Sequence, residues 1–286
     1  TIAQLSQPQK RDMQQDAEKR DETTLAAPLL PNLLEHVKPE KYALLLTNAA
    51  LFSFMTQEAE SAILYADQAI NHFETYEKSE TTLEDETTKK TVTPQEAINA
   101  HDLLVGKQTL LAIANSVKGD SYAILNNAEA AKQAYKIAYT IRNSLNSTKG
   151  DRLSAIRETE DAAIKYMSAL LLQGYLKEAK IIGESSVKNF AALSLVSESM
   201  LLFLANCYSE LEEYDKNLTV VEELIKREST QVKHLHDVYM LAQCYMNLNQ
   251  VERARELIEE GNQIYYSLPR NQRLECPEPF SHRANV

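Results

Sequence analysis

Leu204-Ala205-Asn206-Cys207-Tyr208 and Leu241-Ala242-Gln243-Cys244-Tyr245 are nearly the same phrase written twice. Each is followed by a short polar break and then by apolar residues at helical spacing. After the first come Tyr214, Asn217, Val221 and Leu224; after the second come Val251, Ala254, Ile258 and Gly261. Asn217 and Ala254 are 37 residues apart. One unit earlier, Gly174-Tyr175-Leu176-Lys177-Glu178-Ala179 repeats the turn and second-helix start, with Ala179 standing 38 residues before Asn217. Earlier again, Gly119-Asp120-Ser121-Tyr122 leads through Asn126-Asn127 to Ala131, Tyr135 and Ala138, and Ala131 precedes Ala179 by 48 residues. Self-similarity on this scale means one helical hairpin used again and again, each too small to bury its apolar face alone.

Outward from this core, periodicity predicts helices over about 94–125 (broken near Gly106), 127–146, 151–172, 175–190, 195–211, 214–228, 231–247 and 251–267. Thr93-Pro94-Gln95-Glu96 opens the first with an N-cap and a proline at the first helical position. The breaks, such as Gln173-Gly174 and Asn247-Leu248-Asn249, suit antiparallel neighbours. Upstream, Pro39 opens an apolar helix over Lys41 to Met55, and residues 57–78 form another. The expected organisation is a flexible polar arm (1–24), N-terminal helices that fit the repeat weakly (25–78), an acidic mobile loop (79–93), helical repeats (94–267) and an irregular C-terminal tail (268–286).

Composition agrees. Six Gly and eight Pro in 286 residues are too few breakers for a sandwich or barrel, which needs a turn every 8–12 residues or so. With 44% hydrophobic and 25% charged residues, the chain can bury a core. The net charge of −11 opposes nucleic-acid binding, which needs clustered Lys and Arg, and docking on an anionic membrane. Tyr42 to Met55, the most apolar stretch, is too short to span a bilayer.

The pattern resembles the tetratricopeptide repeat family. Val238, Leu241, Ala242, Tyr245, Ala254, Ile258 and Gly261 fill that family's slots, as do Gly119, Tyr122, Ala131, Tyr135 and Ala138. The units are degenerate: they are longer than the family's, there is no Trp, and Asn217 stands where Ala is expected. The resemblance implies an all-α fold, a right-handed α-solenoid of antiparallel helix pairs. It also implies a non-catalytic scaffold or adaptor holding a partner's peptide or helix in a concave groove. By helical spacing the groove-facing residues are Ile164, Ser168 and Leu171, then Leu202, Asn206 and Ser209, then Tyr239, Gln243 and Met246. Relatives that grip acidic chaperone tails use Lys, Asn and Arg there; here the slots hold Ile164, Ser168, Phe203, His236 and Met240, so no such binding is expected.

Two other functions fit the same sequence: a peptide- or effector-sensing regulator with the N-terminal arm as output, and an enzyme using carboxylates. Nothing supports the second beyond acidic surface. There is no phosphate loop before Gly106-Lys107, no HExxH and no GxSxG. His234 and His236, two apart, point to different helix faces and make a poor metal pair. Glu80, Glu84, Asp85 and Glu86 lack calcium-loop spacing. No cofactor or metal is expected. Cys207, Cys244 and Cys276 read as reduced thiols, the first two in equivalent core slots. Asn217-Leu218-Thr219 matches a glycosylation acceptor, but Asn217 falls in a core slot. The expected partner is a protein or peptide, without membrane insertion, in a larger assembly. The expected location is cytoplasmic; since the chain opens at Thr1 rather than Met, export or lipid anchoring after loss of a signal is the alternative.

Overall fold

The computed structural model describes residues 39–84, 94–145, 152–190, 192–227, 230–274 and 276. Ten helices among them form five antiparallel pairs: α1 (Pro39–Met55) with α2 (Ala59–Glu84), α3 (Pro94–Ile124) with α4 (Ala128–Leu145), α5 (Arg152–Leu172) with α6 (Leu176–Val187), α7 (Glu198–Glu210) with α8 (Tyr214–Ile225), and α9 (Gln231–Asn247) with α10 (Val251–Ser267). A short helix, α11 (Arg270–Arg273), follows. Each helix packs on the next in chain order, and α1 also meets α3, as α5 meets α7. The result is an α-solenoid of stacked antiparallel helix pairs.

One turn builds every pair. Gln57, Asn126, Gly174, Glu212 and Asn249 each adopt a left-handed conformation, with φ of 64°, 58°, 78°, 59° and 57°. In each turn the following N–H donates back to a carbonyl in the last helical turn: Glu58 to Ser53 at 2.8 Å, Asn127 to Tyr122 at 2.9 Å, Tyr175 to Leu170 at 2.9 Å, Glu213 to Tyr208 at 2.8 Å and Gln250 to Tyr245 at 2.8 Å. The left-handed residue's own N–H donates to a second carbonyl, as from Gly174 to Leu171 at 3.0 Å. This Schellman closure satisfies the carbonyls a helix end would orphan. Gly174 adopts the conformation without steric cost and Asn126 and Asn249 tolerate it, whereas Gln57 and Glu212 each give up roughly 1–2 kcal/mol.

Packing inside a pair follows from the turn. Five residues after the left-handed residue stand Ala62, Ala131, Ala179, Asn217 and Ala254, all buried. Small side chains there let the helices approach. Seven residues before it and nine after it, volumes compensate. Gly119 faces Tyr135, and a Cβ on Gly119 would stand 2.5 Å from the ring. In the next pair the sizes are exchanged: Met167 faces Gly183, where a Cβ would lie 2.9 Å from the Met167 Cε. Ala205 with Val221, and Ala242 with Ile258, hold these positions at intermediate size.

Polar contacts tie neighbouring pairs together. Lys118 meets Asp67 at 2.6 Å, Lys165 meets Asp120 at 2.5 Å, and Lys180 meets Glu213 at 2.5 Å. Lys132 donates to Gln173 at 2.9 Å and lies 4.4 Å from the Tyr175 ring centroid. Buried Glu160 on α5 accepts the N–H of Ser197, the N-cap of α7, at 2.6 Å and faces Arg157 at 2.8 Å.

The periods 37, 38 and 48 coincide with the spacing of the last four turns. The first pair, whose sequence fits the repeat weakly, closes with the same turn as the others. Two expectations are corrected. Helix α2 runs to Glu84, six residues into the expected loop; residues 85–93 lie outside the described residues, as do the arm 1–24 and the Thr93 cap. Helix α3 passes unbroken through Gly106. The tail folds back at its start, where buried Leu268 packs with Leu235, Tyr239 and the half-buried Cys276.

Candidate protein-binding face

The first helix of each pair repeats the same positions along one side of the stack. Of the residues expected to line it, Ile164, Ser168 and Leu171 on α5 and Leu202 and Ser209 on α7 are half-buried. Ile164, Leu171 and Leu202 lean on the main core, so they offer one edge to solvent rather than a whole side chain. Asn206 on α7 and Gln243 and Met246 on α9 are exposed.

Tyr239 departs from expectation: it is 5% exposed. Gly261 on α10 explains this. A Cβ there would stand 2.3 Å from the Tyr239 Cε1, so the missing side chain is the slot that admits the ring. The hydroxyl donates to Asn262 Oδ1 at 2.9 Å. Tyr239 therefore joins α9 to α10 and is withdrawn from that side.

Sequence reasoning missed the strongest apolar signal. Two residues before the left-handed position stand Met55, Ile124 and Leu172, which are 78%, 52% and 83% exposed. The later pairs carry Glu210 and Asn247 there. An apolar residue beside a polar break, repeated in three units, was the available clue.

The charges on this side are mostly committed. Asp120 accepts from the Tyr135 hydroxyl at 2.8 Å and pairs with Lys165, so that lysine is tied. Burial, reinforced by Glu160, raises the Asp161 carboxyl above its usual range. The Asp237 carboxylate raises the exposed His236. Asp237 itself is buried, and its Oδ2 makes no hydrogen bond. Burial with a neighbouring acid pushes the phenols of Tyr135, Tyr166 and Tyr208 well above their ordinary value. They stay protonated and donate to Asp120, Glu178 and Glu184.

His234 lies 4.0 Å from Glu260 and His236 3.9 Å from Asp237, so the two histidines engage different acids. Among the described residues, no group of three or more His, Cys, Asp or Glu is placed to hold a metal ion. Cys207 and Cys244 are buried free thiols, pushed by burial to about 11. No helix among the described residues is long and apolar enough to cross a membrane.

Fold and face together define a helical-repeat protein with an extended, partly apolar side. No family model matches the sequence, and no curated protein matches it. Among solved structures, a candidate kinesin light chain of Podosopora anserina, with nearly identical TPR-like repeats, is similar at 18% identity. The match covers 82% of this chain and 99% of that one, with a TM-score of 0.48. A single-residue variant of that protein is similar at 18% identity over 80% and 97% of the two chains, with a TM-score of 0.47. Likeness at this level carries nothing about function; the turn, the slots and the pairing stand on the chain's own geometry.

Proposed function

We propose that this protein is a non-catalytic interaction scaffold that holds a peptide or helix of a partner protein along the side formed by its first helices. One observation carries the reading: the first helices of successive pairs repeat the same positions on one side, and Leu172, Asn206, Gln243 and Met246 stand exposed there. Leu172 and Met246 supply apolar contact, while Asn206 and Gln243 offer amides for a peptide backbone. Surface apolar groups in a row, rimmed by polar ones, mark interaction sites. A stack of this kind makes such a side without special chemistry.

Affinity capture from native lysate tests it. The intact chain is compared with a variant carrying Leu172→Ser, Asn206→Ala, Gln243→Ala and Met246→Ser. Loss of a shared set of partners, with the helical content unchanged, supports the reading. Retention of every partner by the variant sinks it.

A further inference from the structure

Successive helices alternate in direction, so every first helix ends at the same edge of the stack. That edge is made of the five turns. From two residues before the left-handed position to one after it, they are residues 55–58, 124–127, 172–175, 210–213 and 247–250. None of these segments contains Lys, Arg or His. The first three present Met55, Ile124, Leu125, Leu172 and Tyr175, all exposed. Acids stand on both sides of this apolar set: Glu58 in the first turn, Glu210 and Glu212 in the fourth. All three are exposed, and among the described residues none pairs with a cation. Glu213 beside them differs, since Lys180 and Lys216 hold it at 2.5 and 2.8 Å.

We infer that the partner segment is an amphipathic helix whose apolar face is flanked by Lys or Arg, and that this turn edge recognises both features. The inference rests on the scaffold reading above and adds the partner's chemistry. First helices touch directly, as α1 does α3, and helices in contact stand about 8–10 Å apart. Seven residues of an α-helix advance about 10 Å and return to nearly the same face. Apolar residues at i and i+7 therefore match Met55 and Ile124, and one more step of the same spacing reaches Leu172. An extended strand repeats a face about every 7 Å and falls out of step with these groups. Charge points the same way. Carboxylates without counter-ions on both sides of an apolar set favour cationic flanks and disfavour acidic ones. The net charge of −11 speeds the encounter with a basic segment.

The test selects a displayed library of helices against the full chain. Each helix has about 20 residues, long enough for all three contacts, with its apolar face and its flanks randomised. Enriched peptides are expected to carry apolar residues at seven-residue spacing and an excess of Lys and Arg at their ends. Their affinity, read by fluorescence anisotropy, is expected to fall about tenfold or more in the variant Met55→Ser, Ile124→Ser. The variant Glu58→Lys, Glu210→Lys, Glu212→Lys is expected to weaken the same peptides about tenfold or more and to regain binding when their Lys and Arg become Glu. The same charge change on α10, Glu252→Lys, Glu259→Lys, Glu260→Lys, is expected to leave affinity within about twofold. No enrichment, enriched peptides without basic flanks, or affinities that ignore the edge variants or fall equally in the α10 variant overturn the inference. The scaffold reading fails separately: partners lost from lysate with the Leu172, Asn206, Gln243 and Met246 variant still support it when this helix chemistry is refuted.

Discussion

Gly119→Ala tests the volume exchange inside the pairs. The new Cβ would stand 2.5 Å from both Cδ1 and Cε1 of Tyr135. That ring is 8% exposed, and its hydroxyl is held by Asp120 at 2.8 Å, which is itself held by Lys165 at 2.5 Å. The ring cannot swing away without breaking that chain of contacts. Overpacking of this kind costs about 1–3 kcal/mol, and the separation is short enough to place it in the upper half. Replacing a mid-helix glycine by alanine returns about 1 kcal/mol. The net expectation is a loss of about 1–2 kcal/mol. In a Tyr135→Val background the pair becomes the Ala205–Val221 arrangement already present in α7 and α8. There Gly119→Ala is expected to stabilise by about 0.5–1 kcal/mol, since only the propensity gain is left. Urea unfolding of the four proteins, with amide exchange in α3 and α4 as a local readout, closes the cycle. A stabilising Gly119→Ala in the parent, or the same cost in both backgrounds, would refute the packing account.

Further expectations follow from single groups. Asp237→Leu puts an apolar side chain where the other pairs have Leu45, Ala114, Ala162 and Met200 and removes an unbonded buried oxygen; unfolding should show a gain of about 1–3 kcal/mol. Glu160→Ala leaves the Ser197 N–H without its acceptor and should cost about 1–3 kcal/mol, with Glu160→Gln milder. His236 has its pKa raised in the fold, so its stabilising effect is full below the ordinary histidine value and disappears as pH rises through the raised one. His236→Gln should flatten that part of the pH–stability curve, an effect below about 1 kcal/mol given its exposure. Cys207 and Cys244, with thiols near 11, should resist a thiol reagent at pH 8 in the native protein and react once it is unfolded.

The later pairs were legible because their turns punctuate the sequence. Asn126, Gly174 and Asn249 tolerate a left-handed backbone, and Leu, Ala and Tyr recur at fixed distances from them. The first pair hid because Gln57 announces no turn and Ser53 stands where Tyr122, Tyr208 and Tyr245 stand later. Glu80 and Glu84 read as loop by composition, yet α2 continues through them, since polar residues suit a helix as well as a loop. The side that first helices share was also readable from spacing. What spacing omits is the partner across the gap: Tyr239 falls on the right stripe, and only the bare Cα of Gly261 on another helix draws it inward. The exposed Met55, Ile124 and Leu172 escaped notice because a helix-end residue is assigned to the break as readily as to the helix.

The linear stacking of like pairs is tested most directly by distances between equivalent positions. Spin labels at Ser168, Asn206 and Gln243, two at a time and with the native cysteines replaced, sample three successive first helices. Neighbouring helices stand about 10 Å apart, so the Ser168–Gln243 separation should be about twice each adjacent one. Three similar distances would mean a closed bundle, without the shared side on which the binding role depends.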